Sequence, residues 1–137
     1  MKRASLPLLL LLLLVPAGCA DHSKFWIGTW SGKRGDLVLP EKNDDIAKAL
    51  RYIEIKIKTD GTYEKVEAGI PDAGVANFGE KETRLTIQTR MGEPISKDPN
   101  VEKAMKELIL SKIDEDTITY VDLGNPDMLP VELKRGK

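Results

Sequence analysis

Cys19 and His22 are the only cysteine and the only histidine in this 137-residue chain. A lone thiol can be acylated or oxidised. It cannot close a disulfide within one chain or build the Cys/His ligand sets of zinc sites. His22 stands among polar neighbours and reads as a solvated linker residue, not a metal ligand. The 22 acidic residues would permit a carboxylate pair for general acid–base chemistry, but no spacing singles one out. Asp114-Glu115-Asp116 has the charge to attract a cation. Without a calcium loop's ligand spacing and turning glycine, it reads as a solvated hairpin tip. Asp44-Asp45 reads as the start of a helix, where negative charge favours the dipole. No phosphate-cradling glycine loop and no serine nucleophile elbow occur. The chain is therefore expected to be a non-enzyme with no cofactor and no metal, and a hydrolase working through surface carboxylates is the least favoured class. The 21 basic residues are dispersed and balanced by acids, so nucleic-acid binding lacks its electrostatic footprint.

The chemistry that remains is at the N-terminus. Lys2 and Arg3 precede residues 6–15, of which eight are leucine, and Pro16-Ala17-Gly18 follows. A basic start, a short apolar stretch and small residues after a helix breaker make up a secretory signal. The apolar stretch is shorter than the about 20 residues a membrane span takes. Pro16 ends its helix by lacking an N–H and disfavouring helical geometry at the residue before it. Removing 18 residues from 137 leaves 119, and the loss of Lys2 and Arg3 moves the net charge from −1 to −3. The expected organisation is a signal peptide over 1–18, a linker over 19–24 and one domain over 25–137.

Ala17-Gly18-Cys19 resembles the lipobox of bacterial lipoproteins, in which a small residue precedes a cysteine that is diacylated and becomes the mature N-terminus. The family pattern has Leu, Val or Ile three residues before the cysteine. Pro16 stands there in this chain, with Val15 one step earlier. The resemblance implies cleavage between Gly18 and Cys19 and lipidation of Cys19. Several acyl chains at about 0.8 kcal/mol per buried CH₂ give a stable membrane anchor. Ala20, in place of the aspartate that retains such proteins at the inner membrane, implies the outer membrane of the cell envelope, facing the periplasm. An alternative is ordinary signal cleavage at Val15/Ala17 or Gly18/Ala20, giving a secreted, unlipidated domain. The linker from Ala20 to Lys24 reaches about 15–18 Å when extended, so an anchored domain would sit close to the bilayer.

From Phe25 onward the chain alternates at period two. Ile53, Ile55 and Ile57 share one face of a strand over 52–58, and Tyr52, Glu54, Lys56 and Lys58 share the other. Thr59-Asp60-Gly61 supplies the hairpin turn. A three-residue loop there pairs Tyr63 with Ile57 and Glu64 with Lys56, which keeps the dry and wet faces consistent. Further strands are expected over 25–31, 36–39, 62–67, 83–91 (with Leu85, Ile87 and Met91 on one face), 109–113, 117–121 and around Val131 and Leu133. The fold class is thus mainly β, an antiparallel up-and-down meander of about eight strands. One or two short helical insertions are expected, from two candidate stretches. One lies over 41–51; the other starts at Asp98-Pro99-Asn100 and carries Val101, Met105 and Leu108 on one face. Residues 68–79, with three glycines and a proline, read as a long mobile connection. The charged residues read as solvent-facing.

Gly28-Thr29-Trp30 resembles the Gly-x-Trp start of the lipocalin and wider calycin families, and Thr59-Asp60-Gly61-Thr62-Tyr63 is similar to a hairpin common in small bacterial lipocalin-like lipoproteins. That resemblance implies a barrel whose closed end is crossed by Trp30, with Arg135 from the last strand lying over it. Guanidinium stacks on indole and donates to nearby carbonyls. The Thr-Asp-Tyr-type motif of core lipocalins is not evident in the chain. Two functional readings follow. One is an envelope lipoprotein whose barrel is filled by its own side chains and serves as a binding or structural module for an unidentified envelope partner. The other is a carrier of a small apolar ligand, with Tyr63, Leu85, Ile87, Ile118 and Tyr120 as the pocket wall.

Overall fold

The computed structural model describes residues 21–35, 43–95 and 107–137. Eight antiparallel strands close into an up-and-down barrel: β1 (Gly28–Lys33), β2 (Tyr52–Ile57), β3 (Thr62–Glu67), β4 (Ile70–Phe78), β5 (Glu82–Arg90), β7 (Glu107–Lys112), β8 (Thr117–Asp122) and β9 (Val131–Arg135). β1 pairs with β9, and β4 pairs with β5, so the sheet has no free end. The two-residue β6 (Glu93–Pro94) pairs with the end of β5. A four-residue helix, α1 (Ser23–Trp26), precedes the barrel, and α2 (Asp44–Arg51) enters β2.

Period-two patterning produces the core directly. Ile53, Ile55 and Ile57 of β2 point inward with Leu85 and Ile87, Leu108 and Leu110, Ile118 and Tyr120, and Leu133, all at most 2% exposed. Burying each aliphatic side chain stabilises the barrel by about 1.5–3 kcal/mol. The β2–β3 hairpin has the three-residue register, Ile57 opposite Tyr63 and Lys56 opposite Glu64. Gly61 sits at φ +83°, and the Asp60 carboxylate accepts from the Thr62 N–H at 2.9 Å and the Thr62 hydroxyl at 2.6 Å. α2 starts where Asn43 caps it, accepting from the Asp45 and Ile46 N–H groups.

Four expectations are corrected. Phe25 lies in α1, and the first strand begins only at Gly28, whose φ is +130°. Met91 does not continue the inward face of β5; it lies beyond the strand end in a turn, at φ +52° and 69% exposed. Leu108 is an inward residue of β7, not part of a helix. Residues 68–79 are mostly strand: Ala68 and Gly69 make a tight turn, and β4 follows. Its hydrophobic pattern is inverted, with Asp72 and Gly74 inward while Ile70 and Val75 are exposed. Gly74 sits at a register shift, and a Cβ there would lie 1.9 Å from the Thr86 carbonyl oxygen. Small and charged residues pointing inward give no hydrophobic alternation, which is why this strand reads as a loop. The expected strand over 36–39 and the helix starting at Asp98 lie outside the described residues.

Candidate functional site

The two ends of the barrel differ in chemistry. At the first end, α1 inserts Trp26, which donates from Nε1 to the Gly79 carbonyl at 2.8 Å, and Trp30 donates to the Trp26 carbonyl at 2.9 Å. Phe25 packs edge-on to Trp26, with ring centroids 4.8 Å apart. The Arg135 guanidinium carbon lies 4.2 Å from the Trp30 ring centroid, and Nη2 donates to the Phe25 and Glu115 carbonyls at 2.8 and 3.2 Å. One cation thus joins α1, β1, β9 and the β7–β8 turn. This end is sealed. Gly18 and Cys19 lie outside the described residues, but Asp21, where description starts, leads straight into α1, so the chain enters the domain at this end.

The five residues expected to line an apolar pocket, Tyr63, Leu85, Ile87, Ile118 and Tyr120, all belong to one buried cluster. Each is at most 2% exposed. Neither of the two cavities described below is lined by any of them.

The opposite end holds a set of charges that the expectation of solvent-facing charge missed. Lys65 and Asp72 are cross-strand partners with Nζ 3.1 Å from Oδ2, and their side chains are 4% and 2% exposed. Lys65 also lies 3.2 Å from Glu67. Glu67 pairs with Arg34 at 2.6 Å and accepts from the Tyr120 hydroxyl at 2.8 Å. Arg90 grips Asp72 with two bonds, from Nε at 2.8 Å and Nη2 at 3.2 Å. Asp122, also buried, accepts from the Gly124 N–H at 2.8 Å and the Asn125 side-chain amide at 2.7 Å. The parity of the strands carried the signal. If Tyr63 points inward, so must Lys65 and Glu67; if Tyr120 does, so must Asp122.

Burial pushes the Glu67 and Asp72 carboxyls up, but their cations outweigh it. Lys65, together with the hydrogen bonds from Tyr120 and Arg34, holds Glu67 below its usual value. Arg90 and Lys65 do the same for Asp72. Burial, reinforced by neighbouring carboxylates, raises both Tyr63 and Tyr120, so both remain protonated phenols. Arg34, Lys65 and Arg90 thus stand among Glu67, Asp72 and Asp122, and this end concentrates charge that the rest of the interior lacks.

Two cavities open beside this network. One, of about 230 Å³, is lined by Lys65, Glu67, Asp72, Arg90 and Asp122 with Ile70 and Met128 at its apolar edge. The other, of about 440 Å³, lies between Arg34 and the residues leading into β9. Arg34 links the two by reaching Glu67 on one side and the Leu129 carbonyl at 3.1 Å on the other. Among the described residues, no group of three metal-binding side chains converges. No family model, curated protein or solved structure matches the chain.

Proposed function

We propose that this chain is an exported envelope lipoprotein, anchored through acyl chains on Cys19, whose lipocalin-like barrel is a non-enzymatic binding or structural module. The observation that carries the reading is the direction of chain entry. Asp21 and α1 lead into the sealed end, so a lipid on Cys19, two residues before Asp21, would turn that end toward the bilayer and the charged end away from it. The N-terminal sequence supplies the export signal and the acylation site. The Trp30–Arg135 contact and the up-and-down order of strands support the lipocalin-like assignment.

The filled centre favours this reading over a carrier of apolar ligands. Trp26, Trp30 and the inward isoleucines and leucines occupy the position that such a ligand would need. The functional surface is therefore the charged end, not the hydrophobic interior. Replacing Cys19 by serine in the full chain tests the anchor: the wild type should fractionate with membranes and C19S should be soluble. Extraction of the purified domain with organic solvent should release no stoichiometric apolar compound.

A further inference from the structure

We propose that the charged end of the barrel is a docking surface for a segment of a protein partner, apolar on either side of a lysine whose ammonium pairs with Asp122. The inference rests on the reading of the barrel as a binding module and names what that module binds. Peptide binding needs no lipid anchor, so its failure and the failure of the C19S fractionation are separate outcomes.

Apolar surface left in water gathers at this end. Among the described residues, the exposed large hydrophobics on the elements that meet here are Ile46, Val66, Ile70, Met91, Met128 and Leu129. Elsewhere only Val75 and Ile113 are exposed. Val66 and Ile70 flank the β3–β4 turn, Met91 follows Arg90, and Met128 and Leu129 lead into β9. Single exposed hydrophobics need no explanation, but a group of them around one opening marks an interaction site. Met91 is the clearest case. With Gly92 it forms the turn from β5 to β6, at φ +52°, a position that asparagine or glycine fills without strain. Its side chain is nonetheless 69% exposed, so no packing inside the fold offsets that backbone conformation. Methionine side chains adapt their shape to a partner, which suits Met91 and Met128 to such a rim.

Inside this rim the charges are unevenly paired. The 230 Å³ cavity, edged by Ile70 and Met128, is lined by two cations, Lys65 and Arg90, and by three carboxylates, Glu67, Asp72 and Asp122. Arg34 reaches Glu67 from the neighbouring cavity, and Lys65 and Arg90 both hold Asp72. Asp122 alone of the three has no cation within 4 Å among the described residues. It is buried, and its oxygens accept one bond each, from the Gly124 N–H and the Asn125 amide. About half of a carboxylate's acceptor capacity is therefore unused. A buried carboxylate served only by neutral groups gains from a cation. Both oxygens being partly engaged, a point charge suits it better than the two-bond fork of arginine. The cavity is smaller than the roughly 300–1,000 Å³ of small-molecule sites, so it suits one inserted side chain. Apolar neighbours of that lysine would cover Met91, Met128 and Leu129 and keep water from the ion pair.

The test is a titration of the full chain with acetyl-Leu-Lys-Leu-amide, followed by amide chemical shifts. The controls are the same peptide with norleucine or glutamate in place of lysine, and acetyl-Gly-Lys-Gly-amide. Saturable shifts at Gly124, Asn125 and Met128 are expected with the lysine peptide, and binding at least about tenfold weaker with each control. D122N, whose amide oxygen can still accept from Gly124, should weaken the lysine peptide at least about tenfold with an otherwise native spectrum. M128S should weaken it about threefold or more. No saturable shift up to about 10 mM lysine peptide, where even an affinity of about 1 mM registers, would overturn the proposal. So would equal binding of the norleucine peptide, or unchanged affinity in a natively folded D122N. Shifts at these residues with phosphatidylglycerol vesicles, or on raising the chain concentration, but not with peptide, would overturn it in favour of a lipid surface or a second copy.

Discussion

Lys65 and Asp72 face each other across adjacent strands inside the barrel, 3.1 Å apart and almost wholly removed from water. The pair ties β3 to β4 at the one place where β4 has no apolar side chain to offer. Charges this deep are held by one another, and removing one leaves the rest uncompensated. D72L should therefore cost about 3 kcal/mol in denaturant unfolding, although leucine is the more apolar side chain. The exposed Lys58–Glu64 pair is shorter, at 2.6 Å, yet solvent screens it, and E64A should leave the midpoint unchanged. If both substitutions were neutral, the inner network would not be structural.

The same network fixes the response to acid. Glu67 and Asp72 titrate lower in the folded chain than their ordinary values of 4.5 and 3.8. The unfolded chain consequently binds protons first as the pH falls. Stability contributed by these groups is fully present above the ordinary carboxylate range and is lost as pH drops through it toward their depressed folded values. Thermal midpoints should be flat from neutral pH down to about pH 5 and then decline, and the decline should be shallower in D72N. A midpoint that rises on acidification contradicts the assignment.

Arg135 should be replaceable by lysine only at a cost. A lysine cannot stack flat on Trp30 while reaching the Phe25, Ile27 and Glu115 carbonyls together. R135K should lose about 1–3 kcal/mol and loosen α1, seen as faster amide exchange at residues 23–27. W30A, which empties the sealed end, should lose about 3–5 kcal/mol.

Two glycines separate steric from conformational demand. At Gly74 the backbone of β5 occupies the space a side chain needs, so G74A must displace the strand or fail to fold. At Gly69, φ is +77° with open space around it, so G69A should cost only about 1 kcal/mol of backbone strain. Equal losses at the two positions would count against the bulged β4–β5 register.

Much of the barrel was legible because most strands bury residues as their period-two pattern requires. Ile53, Ile55 and Ile57 announce β2, and Asp60-Gly61 announces the turn that sets Tyr63 opposite Ile57. β4 was illegible because its fully buried residues are an aspartate and a glycine, each chosen for one neighbour: Asp72 for Lys65, Gly74 for the β5 backbone. The charged end was half legible. The parity that turns Tyr63 and Tyr120 inward also turns Lys65, Glu67 and Asp122 inward, but only the closed barrel brings Arg34 and Arg90 to meet them. Such pairing is long-range, and no local pattern records it.

The central claim, that this barrel is a lipoprotein domain with its sealed end toward a membrane, is tested most directly by the intact mass of the mature protein extracted from membranes with detergent. The account predicts a chain beginning at Cys19 and carrying a diacylglyceryl group on its sulfur. A mature chain that begins after Cys19, or one that keeps Met1 with an unmodified thiol, would contradict it.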